Sequence, residues 1–189
     1  MHAAFYSVFL VRAFGNLRVR PTIGGAQPPR AGEERTASFS RGLIVFHGAG
    51  FALMYAGIGA VVFPRRVPEW FTGQRIAGAA VIAVAALLVV WALVSFRSWR
   101  VRAKIEPGHQ LATDGPFRLV RHPIYLGVDL MVLGTALWIP ARLVWLGLFV
   151  VVIGGDLRAR AEEALLEKTF GERYREYRSR TYRFVPGVY

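Results

Sequence analysis

The sequence contains no cysteine, only two lysines and few acidic residues. The absence of cysteine excludes disulfides and any zinc or iron–sulfur site built on thiolate ligands. Acidic residues number 12 against 24 basic ones, so the net charge is +12. Such a charge is typical of nucleic-acid-binding proteins, but 54% of the 189 residues are apolar and the mean hydropathy is +0.36. That composition excludes disorder and favours a small basic membrane protein, with no nucleic acid among its expected partners.

Two long apolar runs predict membrane-spanning helices. Residues 43–63 contain His47 as their only strongly polar side chain, and residues 76–96 carry no charge. Each run has the roughly 20 residues that a helix needs to cross a bilayer core. We expect His47, near the end of its run, to serve packing or an interfacial contact. Small residues in both runs predict close helix packing: Gly48, Gly50, Gly57, Gly59, Gly78, Ala79, Ala83 and Ala86.

A third apolar stretch predicts a helical hairpin. Residues 124–154 are interrupted by Pro140 and Arg142, and both are unfavourable inside one buried helix. We therefore predict two short helical arms, at about 124–138 and 142–155, that turn at a membrane surface.

The basic residues alternate between segments in a way that predicts topology. Six precede the first run, six lie in residues 97–123 and eight lie from Arg158 onward, whereas residues 64–75 hold three and the hairpin turn one. Positive charge marks cytoplasmic segments of membrane proteins. The predicted fold class is therefore all-α, an integral membrane bundle of about four transmembrane helices with both termini cytoplasmic.

The same pattern divides the chain into three regions. Residues 1–41 are expected to hold an interfacial helix at 3–14 and then a flexible linker, which is rich in glycine and proline. Residues 42–96 hold two transmembrane helices. Residues 97–189 hold the hairpin and two basic segments, where any chemistry is expected.

The first basic segment leads into the hairpin. Residues 114–116, Asp-Gly-Pro, predict a turn, and residues 121–123, Arg-His-Pro, stand directly before the helix. Pro123 suits a first helical turn, where its missing N–H is not needed. The free N–H groups of such a helix start suit a ligand carboxylate. A belt of arginines that touches lipid head groups explains the same residues without a ligand.

The second basic segment predicts a helix with a defined end. Arg158 and Glu162 are four residues apart and so share a helix face. Gly171 predicts a helix stop, and Tyr174 and Tyr177 predict a second short helix after it. A salt-bridged amphipathic helix on the membrane surface accounts for these residues without any chemistry.

Read together, the two segments carry a two-part signature. Its first part is His109, Gly-Pro-Phe at 115–117 and Arg-His-Pro-Ile-Tyr-Leu-Gly at 121–127. Its second part is Arg-x-x-x-Glu-Glu-x-x-Leu at 158–166, Phe-Gly-x-x-Tyr-x-x-Tyr at 170–177 and Arg-x-x-Pro at 183–186. Over about residues 100–189 the chain resembles the isoprenylcysteine carboxyl methyltransferases. That wider group includes phospholipid N-methyltransferases and methanethiol S-methyltransferases, and is related to membrane sterol reductases.

The resemblance implies S-adenosylmethionine bound at the cytoplasmic membrane face, in a helical C-terminal region. The sequence accordingly has no G-x-G-x-x-G motif of a Rossmann domain. The resemblance implies that His109 and the backbone near Leu111 hold the amino-acid part of the cofactor. Arg121 has a structural alternative, in which it bonds carbonyl groups at neighbouring helix ends. The full implied cofactor pocket consists of His109, Leu111, Gly115, Arg121, His122, Tyr125 and Glu162.

The implied reaction is displacement at the sulfonium methyl, which requires positioning more than acid–base chemistry. For a carboxylate acceptor, Arg158 is the expected catalytic residue, because its guanidinium can orient both oxygens. A thiol or amine acceptor requires a base, for which Glu162 and Glu163 are the candidates. Asp129, four residues after Tyr125 and at membrane depth, is expected either to contact the acceptor or to make a structural hydrogen bond.

The favoured function is thus an integral membrane methyltransferase in a prokaryotic cell membrane, acting with S-adenosylmethionine on a small or lipid-like acceptor, preferably a carboxylate. No metal site is predicted. One alternative is a phospholipid N- or thiol S-methyltransferase of the same group. Another is an NADPH-dependent sterol-type reductase, for which six spans or more are usual. The last is a non-enzymatic protein that binds anionic lipid.

Overall fold

The computed structural model describes residues 31–63, 72–95 and 111–189, with the backbone alone for 31–40. The predicted interfacial helix at 3–14 and the candidate ligand His109 lie outside the described residues. The chain divides into two compact units, Met1–Glu34 and Arg35–Tyr189. All the helix packing below belongs to the second unit.

The described residues form an all-helical fold, as the sequence predicts. The helices are α1 (Ala31–Val62), α2 (Thr72–Ser95), α3 (Pro123–Trp138), α4 (Arg142–Phe170) and α5 (Glu172–Ser179), with a 3-10 turn at Gly115–Arg118 before α3. Two stretches are long and apolar enough to cross a membrane, Arg41–Val62 and Gly73–Ser95. They match the two predicted spans. Only 22% of each is buried inside the protein, so most of each surface faces outward.

The α1 helix begins earlier than expected. It starts at Ala31, inside the predicted linker, and continues without a break to Val62. Residues 31–41 contain alanine, glutamate and arginine but no proline, and such a composition supports a helix. The helix therefore replaces the predicted linker over residues 31–41.

The predicted hairpin is present, with a longer second arm. The α3 helix ends where the Ile139 N–H donates to the Thr135 carbonyl at 2.8 Å, and Pro140 cannot continue it. The α4 helix then runs past the predicted end at residue 155 to Phe170, so the apolar arm and the amphipathic segment are one helix of 29 residues. Gly171, with φ +53°, ends that helix as predicted. That the two arms of the hairpin span a membrane remains a prediction.

Glycines allow the helix pairs to approach closely. A Cβ at Gly78 of α2 would lie 2.7 Å from the Gly134 carbonyl oxygen of α3. A Cβ at Gly50 of α1 would lie 2.8 Å from the Val151 nitrogen of α4. Backbone meets backbone at these two points, which only glycine permits. A Cβ at Gly48 would meet nothing within 4 Å, so this predicted contact is absent from the described residues.

Because α2 packs antiparallel to α3, and α1 packs antiparallel to α4, one end of the bundle collects the polar segments. The 3-10 turn meets the end of α2 there: Gly115 has φ +59°, and a Cβ on it would overlap the Ser95 side chain. The α3–α4 turn lies at the opposite end. We call the end that carries Ser95 and Gly115 the polar end.

Candidate active site

One face of α4 lines a group of polar side chains at the polar end. Gly154, Arg158 and Glu162 follow one another at successive turns and so share this face. Side chains of α1, of α3 and of the residue before α3 complete the group. We call it the Arg158 cluster, and its members are His47, His122, Tyr125, Arg158 and Glu162.

Tyr125 contacts three other members of the Arg158 cluster, which are Glu162, Arg158 and His47. Its hydroxyl donates to Glu162 Oε1 at 2.5 Å. The Arg158 guanidinium carbon lies 5.3 Å from the centroid of the Tyr125 ring, a cation–π arrangement that orients the arginine. The Tyr125 and His47 rings are 6.3 Å apart between centroids. Tyr125 thus bridges a histidine inside the apolar run and a glutamate near the aqueous end.

Glu162 is the most exposed member of the cluster. Its side chain is 48% exposed, whereas that of His122 is 6% exposed. The two lie side by side, with His122 Nδ1 3.7 Å from Glu162 Oε2. A half-exposed carboxylate beside a hydroxyl and an imidazole can accept hydrogen bonds from an ammonium or from sugar hydroxyls. A polar ligand that arrives from water therefore meets Glu162 first.

Glu163 faces away from that opening and is enclosed by arginines. Its side chain is only 5% exposed. Arg121 Nε donates to Glu163 Oε1 at 2.9 Å, and Arg183 Nη2 donates to Oε2 at 2.8 Å. Burial alone would raise the pKa of Glu163, but contacts from His122, Arg183 and Arg121 hold that pKa well below its ordinary value of 4.5. Such a carboxylate is a poor general base, so of the two candidate bases only Glu162 has suitable surroundings.

Arg121 connects α4 to the C-terminal tail. Besides Glu163, its guanidinium donates to the carbonyl of Arg178 at 3.2 Å and to that of Thr181. The Arg121 backbone N–H donates to the Tyr182 carbonyl at 2.7 Å, next to a parallel bridge between Val120 and Tyr182. These contacts are the ones expected from the structural alternative for Arg121, in which it bonds carbonyl groups at helix ends.

The other predicted site residues lie around the cluster. Gly115 packs against the end of α2, and half-buried Leu111 begins the described stretch before it. Asp129 lies between α3 and α4, and a Cβ at Gly155 would be 3.6 Å from its Oδ1. That oxygen is buried and has no hydrogen-bond partner among the described residues. No role of Asp129 follows from this position alone.

The sequence did not reveal the hydrogen-bond partners that hold the C-terminal residues after α5 in place. Arg183 Nη1 donates to Asp156 Oδ1 at 3.3 Å, in addition to its bonds with Glu163. The Tyr189 hydroxyl donates to the same Asp156 oxygen at 3.1 Å. Arg183 belongs to the second part of the signature, and this membership was the feature of the sequence that could have indicated its importance. Its partners are 20 and 27 residues away, and helical spacing cannot reveal them.

Comparisons with known proteins identify relatives of this chain. Residues 74–173 match the family described as phospholipid methyltransferase. The chain is 28% identical over 143 residues to a probable protein-S-isoprenylcysteine O-methyltransferase of Oryza sativa subsp. japonica, which covers 73% of each chain. It is 35% identical over 88 residues to the protein-S-isoprenylcysteine O-methyltransferase of Schizosaccharomyces pombe, over 46% of this chain and 37% of that protein. An uncharacterized protein of Haemophilus influenzae is 39% identical over 64 residues, its whole length and 33% of this chain.

The family match spans more than half of the chain and contains α3, α4 and all but the first two residues of α2. This match, the names of the relatives and the two helices long and apolar enough to cross a membrane identify a membrane methyltransferase. The chain belongs to the phospholipid methyltransferase family, and the predicted relationship to the isoprenylcysteine methyltransferases is confirmed.

Proposed function

We propose that the protein transfers the methyl group of S-adenosylmethionine to a carboxylate on a small or lipid-like acceptor. The observation that carries this proposal is the position of Arg158, which lies over the Tyr125 ring between a buried apolar region and the half-exposed Glu162. The names of the plant and yeast relatives, both O-methyltransferases of isoprenylcysteine, support a carboxylate acceptor with an apolar tail. We place the site on the cytoplasmic side of a prokaryotic membrane, in agreement with the distribution of basic residues.

The residues at the polar end fit S-adenosylmethionine. Glu162 offers carboxylate oxygens near the aqueous opening for the ammonium or the ribose hydroxyls. When bound, this cofactor supplies an electrophilic methyl group on a sulfonium sulfur. In our proposal Glu162, His122 and Tyr125 hold the cofactor, together with His109 and Leu111 as the resemblance implies.

Arg158 then orients the acceptor. A carboxylate is already ionised at neutral pH, so the chain's residues need only align it and keep water away. The guanidinium has parallel N–H donors that match two carboxylate oxygens, and the Tyr125 ring restricts its orientation. The apolar tail of such an acceptor can remain in lipid while its carboxylate reaches Arg158 from the side.

Substitution of Arg158 tests this assignment. Arg158→Ala is expected to abolish methyl transfer to carboxylates and to change the Kd of S-adenosylhomocysteine by less than about threefold, about 0.7 kcal/mol. The purified protein is incubated with methyl-labelled cofactor and host lipid extract, and mass spectrometry identifies the product. Methyl esters release methanol in alkali, whereas N-methyl and S-methyl products do not, so the same sample identifies the acceptor atom.

Arg160→Ala is the matched control, since Arg160 lies on the same helix with its side chain 58% exposed. It is expected to keep the wild-type activity. If Arg158→Ala loses S-adenosylhomocysteine binding, Arg158 belongs to the cofactor site instead. If it retains carboxyl methylation, the proposed role of Arg158 is wrong.

A further inference from the structure

His47 is a buried polar side chain without a hydrogen-bond partner. It is only 5% exposed, and neither ring nitrogen has such a partner among the described residues. Its ring stacks on Phe51 at 5.2 Å between centroids, and Gly154 of α4 lies directly against its backbone. Leaving both imidazole nitrogens unpaired in apolar surroundings is unfavourable, unless a ligand supplies the partner. A packing role, which the sequence favours, does not require those nitrogens.

The depth of His47 separates it from the aqueous opening of the site. It lies six residues beyond Arg41, where the candidate span begins, and therefore about 9 Å along the helix from that end. Its neighbours Ile44 and Val45 are exposed apolar residues on the outside of α1. From His47 the cluster continues through Tyr125 to Glu162, which is half-exposed. A lipophilic molecule would approach from the side of His47, whereas the polar cofactor would approach from the side of Glu162.

A polar group inside a membrane span is commonly functional. His47 also lies outside residues 74–173, the part of the chain that the family model matches. We therefore expect His47 to contribute to a property of this chain, such as the choice of acceptor, rather than to chemistry that the family shares.

We propose that His47 binds the methyl acceptor, with one ring N–H donating a hydrogen bond to the acceptor carboxylate that Arg158 orients. The proposal rests on the carboxylate acceptor of the proposed function. It adds a second contact on α1, so that the acceptor is held by two helices. It predicts that His47 determines affinity for carboxylate acceptors and leaves cofactor binding unchanged.

Two His47 variants and one packing control test the proposal in the full-length protein in detergent. His47→Phe keeps a ring that can stack on Phe51 but removes both nitrogens, and His47→Gln keeps an N–H donor. The acceptor probes are N-acetyl-S-farnesylcysteine and palmitate. His47→Phe is expected to raise the KM of the probe that the wild type methylates by about tenfold, and His47→Gln by less than about threefold. Phe51→Leu is expected to leave KM within about twofold of the wild type.

Thermal unfolding in detergent reports whether each variant is folded, and the Kd of S-adenosylhomocysteine is expected to be unchanged in all three. A wild-type KM for His47→Phe would overturn the proposal. So would an equal rise in KM for Phe51→Leu, which indicates packing, or a tenfold weaker S-adenosylhomocysteine affinity in His47→Phe, which indicates a cofactor contact. If the wild type methylates amines or thiols but no carboxylate, the proposed function itself is wrong and this inference falls with it.

Discussion

Neighbouring glutamates of one helix have different surroundings, and this difference organises the site. Glu162 and Glu163 are consecutive, so their side chains point about 100° apart around α4. Glu162 is half-exposed and bonded to Tyr125, whereas Glu163 is buried between two arginines. The sequence pattern Glu-Glu alone cannot distinguish them. The structure does so because the residues that bind each carboxylate come from distant parts of the chain.

Glu163 is expected to matter for stability. Glu163→Gln removes the anionic partner of Arg121 and leaves Arg183 with Asp156 alone, at a cost on the order of 3 kcal/mol in the free energy of unfolding. Thermal unfolding in detergent measures the change. Glu162→Gln is the control and is expected to keep the wild-type Tm while weakening S-adenosylhomocysteine binding. Equal Tm values for the two variants would contradict the role of Glu163.

The same residue predicts a dependence of stability on pH. Burial raises the pKa of Glu163, but hydrogen bonds from His122, Arg183 and Arg121 hold its folded-state pKa below the ordinary value of 4.5. The stabilisation from Glu163 is therefore fully present above about pH 4.5 and is lost as the pH falls toward the lowered folded-state pKa. Between about pH 5 and pH 3, the Tm of the wild type is expected to fall more steeply than that of Glu163→Gln. Parallel curves would show that Glu163 does not titrate in this way.

At the scale of elements, the contact between α1 and α4 depends on glycine. A Cβ at Gly147 would lie 2.7 Å from the Gly50 carbonyl oxygen and 2.8 Å from the Met54 nitrogen. Because both are backbone atoms, the helices would have to separate. Gly147→Ala is therefore expected to destabilise the protein by about 1–3 kcal/mol. Thermal unfolding in detergent measures the Tm of Gly147→Ala, which is compared with that of the control variant Gly48→Ala.

Gly48→Ala provides the matched control on α1, since a Cβ there meets nothing within 4 Å. Alanine also favours a helix over glycine by up to about 1 kcal/mol. We expect Gly48→Ala to leave the Tm unchanged or slightly raised. A loss of stability as large as that of Gly147→Ala would show that the close contact is not the cause.

Local signals in the sequence predict the elements better than their partners. Apolar runs, the break at Pro140 and the stop at Gly171 are properties of near neighbours, and each prediction is confirmed. The continuation of α4 into its basic half was missed, because the composition changes from apolar to charged at residue 156, whereas no proline there ends the helix. The bonds from Arg183 to Glu163 were also missed, since they depend on how the tail folds back. Contacts of this kind join residues far apart in the sequence, so residue spacing cannot predict them.

At the scale of the whole molecule, antiparallel packing of the described helices places the start of α3 and the basic half of α4 at the same end. Of the described arginines, Arg121 and Arg183 bind Glu163, and Arg158 lies over Tyr125. That most of the +12 charge orients the protein in the membrane is a prediction from the sequence. The four-span topology is the remaining prediction. This topology requires α3 to cross the membrane, although its 16 residues extend only about 24 Å. That length is somewhat less than a bilayer core of about 30 Å.

The absence of cysteine makes that topology directly testable, since any introduced thiol is the only one in the protein. Ser179→Cys places a thiol at the exposed end of α5, and Ala141→Cys places one in the hairpin turn. If both arms of the hairpin cross the membrane, a membrane-impermeant maleimide should label Ser179→Cys only in inside-out vesicles and Ala141→Cys only in right-side-out vesicles. Labelling of both from the same side would mean that the hairpin re-enters without crossing. The basic tail would then share its face with the turn, and the basic residues would no longer divide between the two membrane faces as the positive-inside rule requires.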